Sequence, residues 1–389
     1  MATVGSLAAV VADKPVSSVG LFDLTRQRDR LGERIEARID EVLKHGQFIL
    51  GPEVVELEKN LAAFAGARHA IGVSSGRDAL TMAMMALGVG RNDAVFVPGF
   101  TFSASAASIA PLGAEPVFVD VDAQTFNMDP ASLEAAIAAV EAEGRLNPKV
   151  VMPVDLYGLP ADYKAISGIA SKHGMRVLAD AAQSFGGMLG NKQVGTLAPI
   201  TGTSFYPTKP LGAYGDGGAI FTEDDELAEA VHMIRTHGRQ GSGDEALRIG
   251  MTGRLDTIQA AVLLVKLEAF GEELVRRRQV AAAYTELLSG TFATPYVPEN
   301  CESAWALYTI RVANRDRVRE RLSEAGVGTG LFYRVPLHRH PAFQQWVPDG
   351  LELPVTDRLA EEVLSLPIHG DIEDAEIEFV VEKLKEAAA

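Results

Sequence analysis

The sequence predicts an α/β fold with a mostly parallel sheet covered on both faces, followed by a smaller α+β domain. Two observations carry this. From His69 to about Thr222, short β-branched or apolar runs alternate with helical stretches, and beyond about Pro298 that alternation gives way to a mixture of strand, helix and turn-rich loop. The 389 residues, 47% apolar and 23% charged, suffice for one large domain and one smaller one.

In chain order, 1–20 reads as a loose extension, lacking the basic start and long apolar stretch of a signal. Arg28 to Lys44 and Glu53 to Ala65 read as amphipathic helices split by the turn Gly51-Pro52. The strand runs are Ala70 to Val73, Ala94 to Pro98, Pro116 to Val119, Val150 to Val154, Arg176 to Ala179, Ile200 to Phe205 and Gly218 to Thr222. Arg77 to Leu87, Asp129 to Glu143 and Asp162 to His173 are the helices between several of them. Asp256 to Leu288 reads as one long helix. Leu307 to Val312 follows as a strand, Arg315 to Ala325 as a helix, and a terminal helix begins at Asp374. The expected domains are 21–270 and 271–389.

Composition narrows the function. Cys301 is the only cysteine, which rules out an intrachain disulfide, a cysteine-held iron–sulfur cluster and a multi-cysteine zinc site, and fits a reducing cytoplasmic setting. Acidic residues outnumber basic ones 52 to 36, so a net charge of -16 opposes nucleic acid and anionic lipid. No apolar run reaches the roughly 18 to 20 residues that cross a bilayer. An anionic substrate must therefore meet a local basic patch.

Four segments carry chemistry. In Thr203-Ser204-Phe205-Tyr206-Pro207-Thr208-Lys209-Pro210-Leu211-Gly212, two prolines hold Lys209 on stiff, non-helical backbone just after a strand. That suits a positioned amine, and lysine is the residue that binds pyridoxal phosphate (PLP) as a Schiff base; a surface lysine in a loop is the alternative. Val177-Leu178-Ala179-Asp180 ends an apolar strand in a carboxylate. Asp180 could pair with a pyridinium nitrogen, which makes the ring an electron sink, or simply cap the next helix. Val73-Ser74-Ser75-Gly76-Arg77 passes from strand to helix, where exposed N–H groups and the helix dipole bind phosphate, although ordinary strand-to-helix turns look the same. Pro98-Gly99-Phe100-Thr101-Phe102 ends another strand, and Phe102 could stack on a flat ring for about 1 kcal/mol or pack in the core.

Together these segments resemble the nucleotide-sugar aminotransferases of the DegT type, within the fold type I (aspartate-aminotransferase-like) PLP enzymes. The likeness runs from about Leu21 to the end and includes His45-Gly46-Gln47-Phe48-Ile49-Leu50-Gly51-Pro52, Pro153-Val154-Asp155-Leu156-Tyr157-Gly158, Gly253-Arg254-Leu255-Asp256-Thr257 and Pro336-Leu337-His338. It implies that Lys209 carries PLP and that Asp180 pairs with the ring nitrogen. Gln183 would reach the ring hydroxyl, Phe102 would stack on the ring, and Ser204 with the backbone of Gly76 and Arg77 would hold the phosphate. It also implies a homodimer with shared sites, the neighbour supplying 252–254. Two departures stand out. Arg77 replaces a residue whose hydroxyl usually meets phosphate, and Thr252 stands where asparagine is usual.

Within the family, the phrases around 45–54, 203–221 and 254–257 are most similar to enzymes that aminate the 3-keto carbon of UDP-2-acetamido-glucuronic acid for bacterial surface polysaccharide such as O-antigen. Arg254 is the candidate for the sugar carboxylate, because bidentate arginine suits it. Tyr333 and His338, in the basic and aromatic run Phe332 to His340, are candidates for substrate contact, with a packed loop as the alternative. The implied partners are a nucleotide-linked keto sugar and an amino donor such as glutamate, without nucleic acid, membrane or metal. The alternatives are a dTDP-linked keto-deoxysugar acceptor, a transaminase of small amino acids, a PLP-fold dehydratase and a non-catalytic binding protein. The dehydratases of this group typically replace the lysine and some add a cluster, so Lys209 and the single cysteine speak against that reading.

Overall fold

The apolar runs become seven strands of one sheet, the first five joined through helices that return the chain and the last two following without one. In the computed structural model, which describes residues 16–241 and 243–389, the spatial order is His69–Val73, Gly218–Thr222, Ile200–Ser204, Arg176–Asp180, Asn147–Val151, Asp93–Pro98 and Glu115–Val119. All neighbouring pairs are parallel except those made by Gly218–Thr222, which runs antiparallel to both its neighbours.

Both faces are covered, so most strand residues are apolar on either side. Helices Gly76–Ala86 and Asp225–Arg235 bury Leu80, Met82, Val231 and Ile234 against one face. Helices Pro130–Glu143 and Tyr163–Lys172 bury Leu133, Ile137 and Ile166 against the other. A further layer, formed by Pro52–Ala65 and the start of Thr257–Leu288, packs Leu57, Leu61 and Leu263 around Phe221 and Phe205.

The smaller unit is built on a two-stranded antiparallel sheet, Tyr308–Arg311 with Val363–Leu366, covered by helices Arg315–Glu324 and Asp374–Ala388. The expected boundary at 270 falls inside the 32-residue helix Thr257–Leu288. Its Ala260, Leu263 and Phe270 join the large-domain core, while Val280, Tyr284 and Leu288 join the small one. The expectation of a loose extension lies outside the described residues for 1–15. Its last part is instead tied down: Val19 is buried and donates its N–H to Gly326 O at 2.9 Å.

Phe221 has no exposure and stacks on Phe185 with centroids 5.4 Å apart. Phe221→Ala should lower unfolding stability by about 3–5 kcal/mol through lost burial and a residual cavity, measured as the shift of a denaturant midpoint at unchanged slope.

Candidate active site

The carboxyl ends of the parallel strands converge on one edge of the sheet, where ligands of such folds gather. Strand Arg176–Asp180 delivers Asp180 there, beside the end of Ile200–Ser204 and the start of helix Gly76–Ala86. After Ser204 the chain folds tightly back: Phe205 N donates to Gly217 O, Ala213 N to Phe205 O and Lys209 N to Tyr206 O, each at 2.8 Å. Gly212 is needed, since a Cβ there would lie 2.3 Å from Pro207 O. The turn that presents Lys209 is thus fixed by backbone contacts, as the flanking prolines led one to expect.

Two charges sit here out of water. Asp180 is buried, and burial raises its pKa; Ser105 Oγ, donating to Oδ2 at 2.8 Å, the Ala182 N–H at 3.2 Å and the nearby Lys209 oppose that rise. Lys209 keeps partial exposure as a residue, yet the protein around its amine lowers the pKa to about 8 by desolvation, with Asp180 acting in the other direction. No direct ion pair joins the two, and among the described residues the amine has no hydrogen-bond partner. A lysine whose amine loses its proton more readily than usual, beside a buried carboxylate, is equipped to bond covalently to an aldehyde and then to move protons.

Beside this pair lies an anion cradle. Ser75 caps helix Gly76–Ala86, its Oγ accepting from Asp78 N at 3.1 Å, and Ser74 Oγ donates to Asp78 Oδ2 at 2.6 Å. Among the described residues, nothing accepts the N–H groups of Gly76 and Arg77, so both remain available at the positive end of the helix. A Cβ on residue 76 would sit 2.5 Å from Ser204 Cβ, which places the Ser204 hydroxyl against that helix start. The Arg77 guanidinium, exposed, donates to Ala107 O at 3.1 Å.

An aromatic wall completes the cleft. The Phe102 side chain is 56% exposed, unusual for a large apolar group at a sheet edge, and its ring lies 5.9 Å from that of Tyr333. The Tyr333 hydroxyl accepts from Gln183 Nε2 at 3.0 Å, while Gln183 Oε1 accepts from Tyr157 N at 2.7 Å. A desolvated amine, a buried carboxylate, two unengaged N–H groups with a serine, and an uncovered aromatic face are the features that the PLP amine-binding, ring-nitrogen, phosphate and ring-stacking positions require. The residues fit the cofactor.

Other expectations fare differently. Arg254 is bridged through its backbone to Val73, and among the described residues its side chain makes no ion pair or hydrogen bond. Thr252 is exposed, its Oγ1 3.2 Å from His237 Nε2, and the intervening Gly253 O accepts from Ser74 N at 3.0 Å. His338 is placed otherwise than expected. Its ring is closed off from solvent behind the Pro98-Gly99-Phe100 turn, which Leu337 N grips through Gly99 O at 2.8 Å. Nε2 lies 3.0 Å from Asp357 Oδ1, and desolvation lowers the ring's pKa against the pull of that carboxylate. Arg339 is likewise paired with Asp357 at 2.7 Å; Arg334 and Val335 are exposed, while Tyr333 is half-buried. Ser105 was not singled out by sequence. It is 75 residues from Asp180, and a small residue in the short helix Ser103–Ala107 carries no local signal.

Comparison with known proteins agrees with this geometry. The family model described as the DegT/DnrJ/EryC1/StrS aminotransferase family matches residues 29–385. A UDP-2-acetamido-2-deoxy-3-oxo-D-glucuronate aminotransferase of Pseudomonas aeruginosa is 47% identical over 93% of this chain and 98% of its own. A crystal structure of a DegT/DnrJ/EryC1/StrS aminotransferase from Brucella abortus superposes with a TM-score of 0.93 at 43% identity, covering 95% of this chain and all of that one. The Bacillus subtilis protein NtdA, solved with bound cofactor PMP, superposes with a TM-score of 0.89 at 30% identity over 97% of this chain and 86% of its own. A chain matched almost end to end by the family model, with an amine, carboxylate and anion cradle at the expected edge of the sheet, belongs to the DegT/DnrJ/EryC1/StrS aminotransferase family.

Proposed function

We propose that this chain transfers an amino group from L-glutamate to the 3-keto carbon of a UDP-linked 2-acetamido-3-oxo-glucuronate, with PLP bound at Lys209, for a cytoplasmic step of bacterial surface polysaccharide such as O-antigen. The observation that carries amino transfer is the buried amine of Lys209 facing the buried carboxylate of Asp180. The uronate acceptor is supported by the unpaired Arg254 and by the function named for the Pseudomonas aeruginosa relative.

Each residue then has a task. When bound, PLP supplies an electron sink for breaking the Cα–H bond of the amino donor. Lys209 anchors it covalently, and once displaced by the donor its amine takes the Cα proton and later returns a proton to the former keto carbon of the sugar. Asp180 holds the proton on the ring nitrogen, and Ser105 keeps one of its oxygens in place. The Gly76 and Arg77 N–H groups and Ser204 hold the phosphate, Phe102 covers the ring, and Gln183 faces its hydroxyl. Tyr333 lines the acceptor side, and Arg254 takes the carboxylate.

A homodimer belongs to the same proposal. Phe48, Ile49, Leu247 and Ile249 are exposed, Ile249 at 85%, and large apolar groups left in water in one region suit a covered face. The neighbour would bring Thr252 and Arg254 into reach of the site. Among the described residues no helix is long and apolar enough to cross a membrane. The domain division 21–270 and 271–389 is kept as a functional one, with one helix shared by both units.

Three outcomes test this reading. Protein purified with PLP should show a visible band that fades with glutamate and returns with one keto sugar from a panel linked to UDP or dTDP. Lys209→Ala should lack the band, and a band indifferent to every amino donor would sink the proposal. Because burial lowers the amine pKa from 10.5 to about 8, its neutral, nucleophilic form appears as pH rises through that value. Cofactor-free protein should therefore capture PLP faster up to about pH 8 and level off beyond, in stopped-flow absorbance; a midpoint near the ordinary lysine value would contradict the desolvated amine. Arg254→Ala should lower kcat/KM for the uronate by roughly 10- to 100-fold, the worth of a charged hydrogen bond, with little change for a keto sugar lacking the carboxylate.

A further inference from the structure

Asp155 is a fully buried carboxylate that the reaction outlined above does not use. Its Oδ2 accepts from Ser184 Oγ at 2.7 Å, and its Oδ1 accepts from Ala161 N and Tyr163 OH, each at 2.8 Å. A buried carboxylate with a full set of donors holds those donors in fixed places, because losing any one leaves a charge desolvated and unpaired. What lies at the far end of the Ser184 contact is the turn 180–184, which carries both Asp180 and Gln183.

The same strand end grips this turn three more times. Asp180 N donates to Pro153 O at 2.9 Å, Asp155 N to Asp180 O at 3.0 Å, and Tyr157 N to Gln183 Oε1 at 2.7 Å. Segment 153–157 therefore meets the turn at its first residue, at Gln183 and, through a side chain, at Ser184. Only the Ser184 contact depends on residue type at 155, since the others use backbone groups of that segment.

We propose that Asp155 is a positioning residue: by binding Ser184 it fixes the 180–184 turn and so the aim of Asp180 and Gln183 at the cofactor ring. This rests on the PLP reading given above. Burial raises the Asp155 pKa to about 7, its three donors opposing that rise and the Asp180 charge adding to it. The ionisable groups around it are Tyr163, Asp180 and, more distantly, Cys301.

The test uses the holoenzyme and four variants. Ser184→Ala removes the contact to the turn, and Asp155→Ala removes the hub. Asp155→Asn keeps it, because an amide can donate to Ser184 Oγ while its oxygen still accepts from Ala161 and Tyr163. Tyr163→Phe removes a contact of similar length, 2.8 Å against 2.7 Å, that leads away from the turn. Ser184→Ala and Asp155→Ala should retain PLP on the order of tenfold less tightly, shift the pH midpoint of the visible band, and lower kcat for glutamate more than they raise KM. Asp155→Asn should return all three to within about twofold of wild type, and Tyr163→Phe should leave them unmoved. If Asp155→Ala does not fold, Ser184→Ala carries the comparison. An unshifted band in Ser184→Ala would overturn the proposal, as would an equal shift in Tyr163→Phe, which would mean general loosening. A wild type without any visible band would remove the proposal together with the cofactor reading beneath it.

Discussion

The carboxylate of Asp180 and the amine of Lys209 are both withdrawn from water at one edge of the sheet without a direct ion pair between them. Burying two such groups is costly, and the cost is tolerable only where surrounding groups compensate. For Asp180 the compensation is Ser105 Oγ and the Ala182 N–H. For Lys209 it is partial neutralisation, which is also what makes the amine reactive. A cationic ring nitrogen placed against Asp180 would relieve the carboxylate. Much of the fold around the site serves to hold this arrangement still.

That holding is done chiefly by backbone. The turn at Lys209 is closed by three amide hydrogen bonds and by a glycine whose replacement would strike Pro207. The cradle at Gly76 exists because a side chain there would collide with Ser204. Backbone fixation is suited to a site whose side chains must change protonation state, since main-chain groups do not titrate and the frame stays constant through a reaction cycle.

The surface follows a different logic. The chain is strongly acidic, yet its proposed acceptor carries a diphosphate and a carboxylate. Most arginines near the site are already engaged: Arg77 with Ala107, Arg339 with Asp357, Arg277 with Glu273. Among the described residues the Arg254 side chain makes no such contact. In a field that repels anions, uncommitted guanidinium groups are what an anionic ligand can meet.

Local sequence determined a great deal here. The alternation of apolar runs and helices gave the sheet and its two covered faces, because period and turn chemistry are local properties. The segments around Lys209, Asp180, Gly76 and Phe102 were legible because each ends a strand, and strand ends in such a sheet share one edge. Tertiary structure decided the rest. Ser105 reaches Asp180 across 75 residues, and Asp155 reaches Ser184 across 29, so no window of sequence contains either pair. For His338 the sequence leaves substrate contact and packing both open, and it is packing behind Gly99 that closes its ring off from solvent. Val19 carries no local signal for an anchored strand, and its pairing with the Gly326–Gly328 segment ties it to the small unit. Sequence fixes what a residue can do within its own turn of chain; which distant group it meets depends on how whole elements pack, and that is settled only when the core closes.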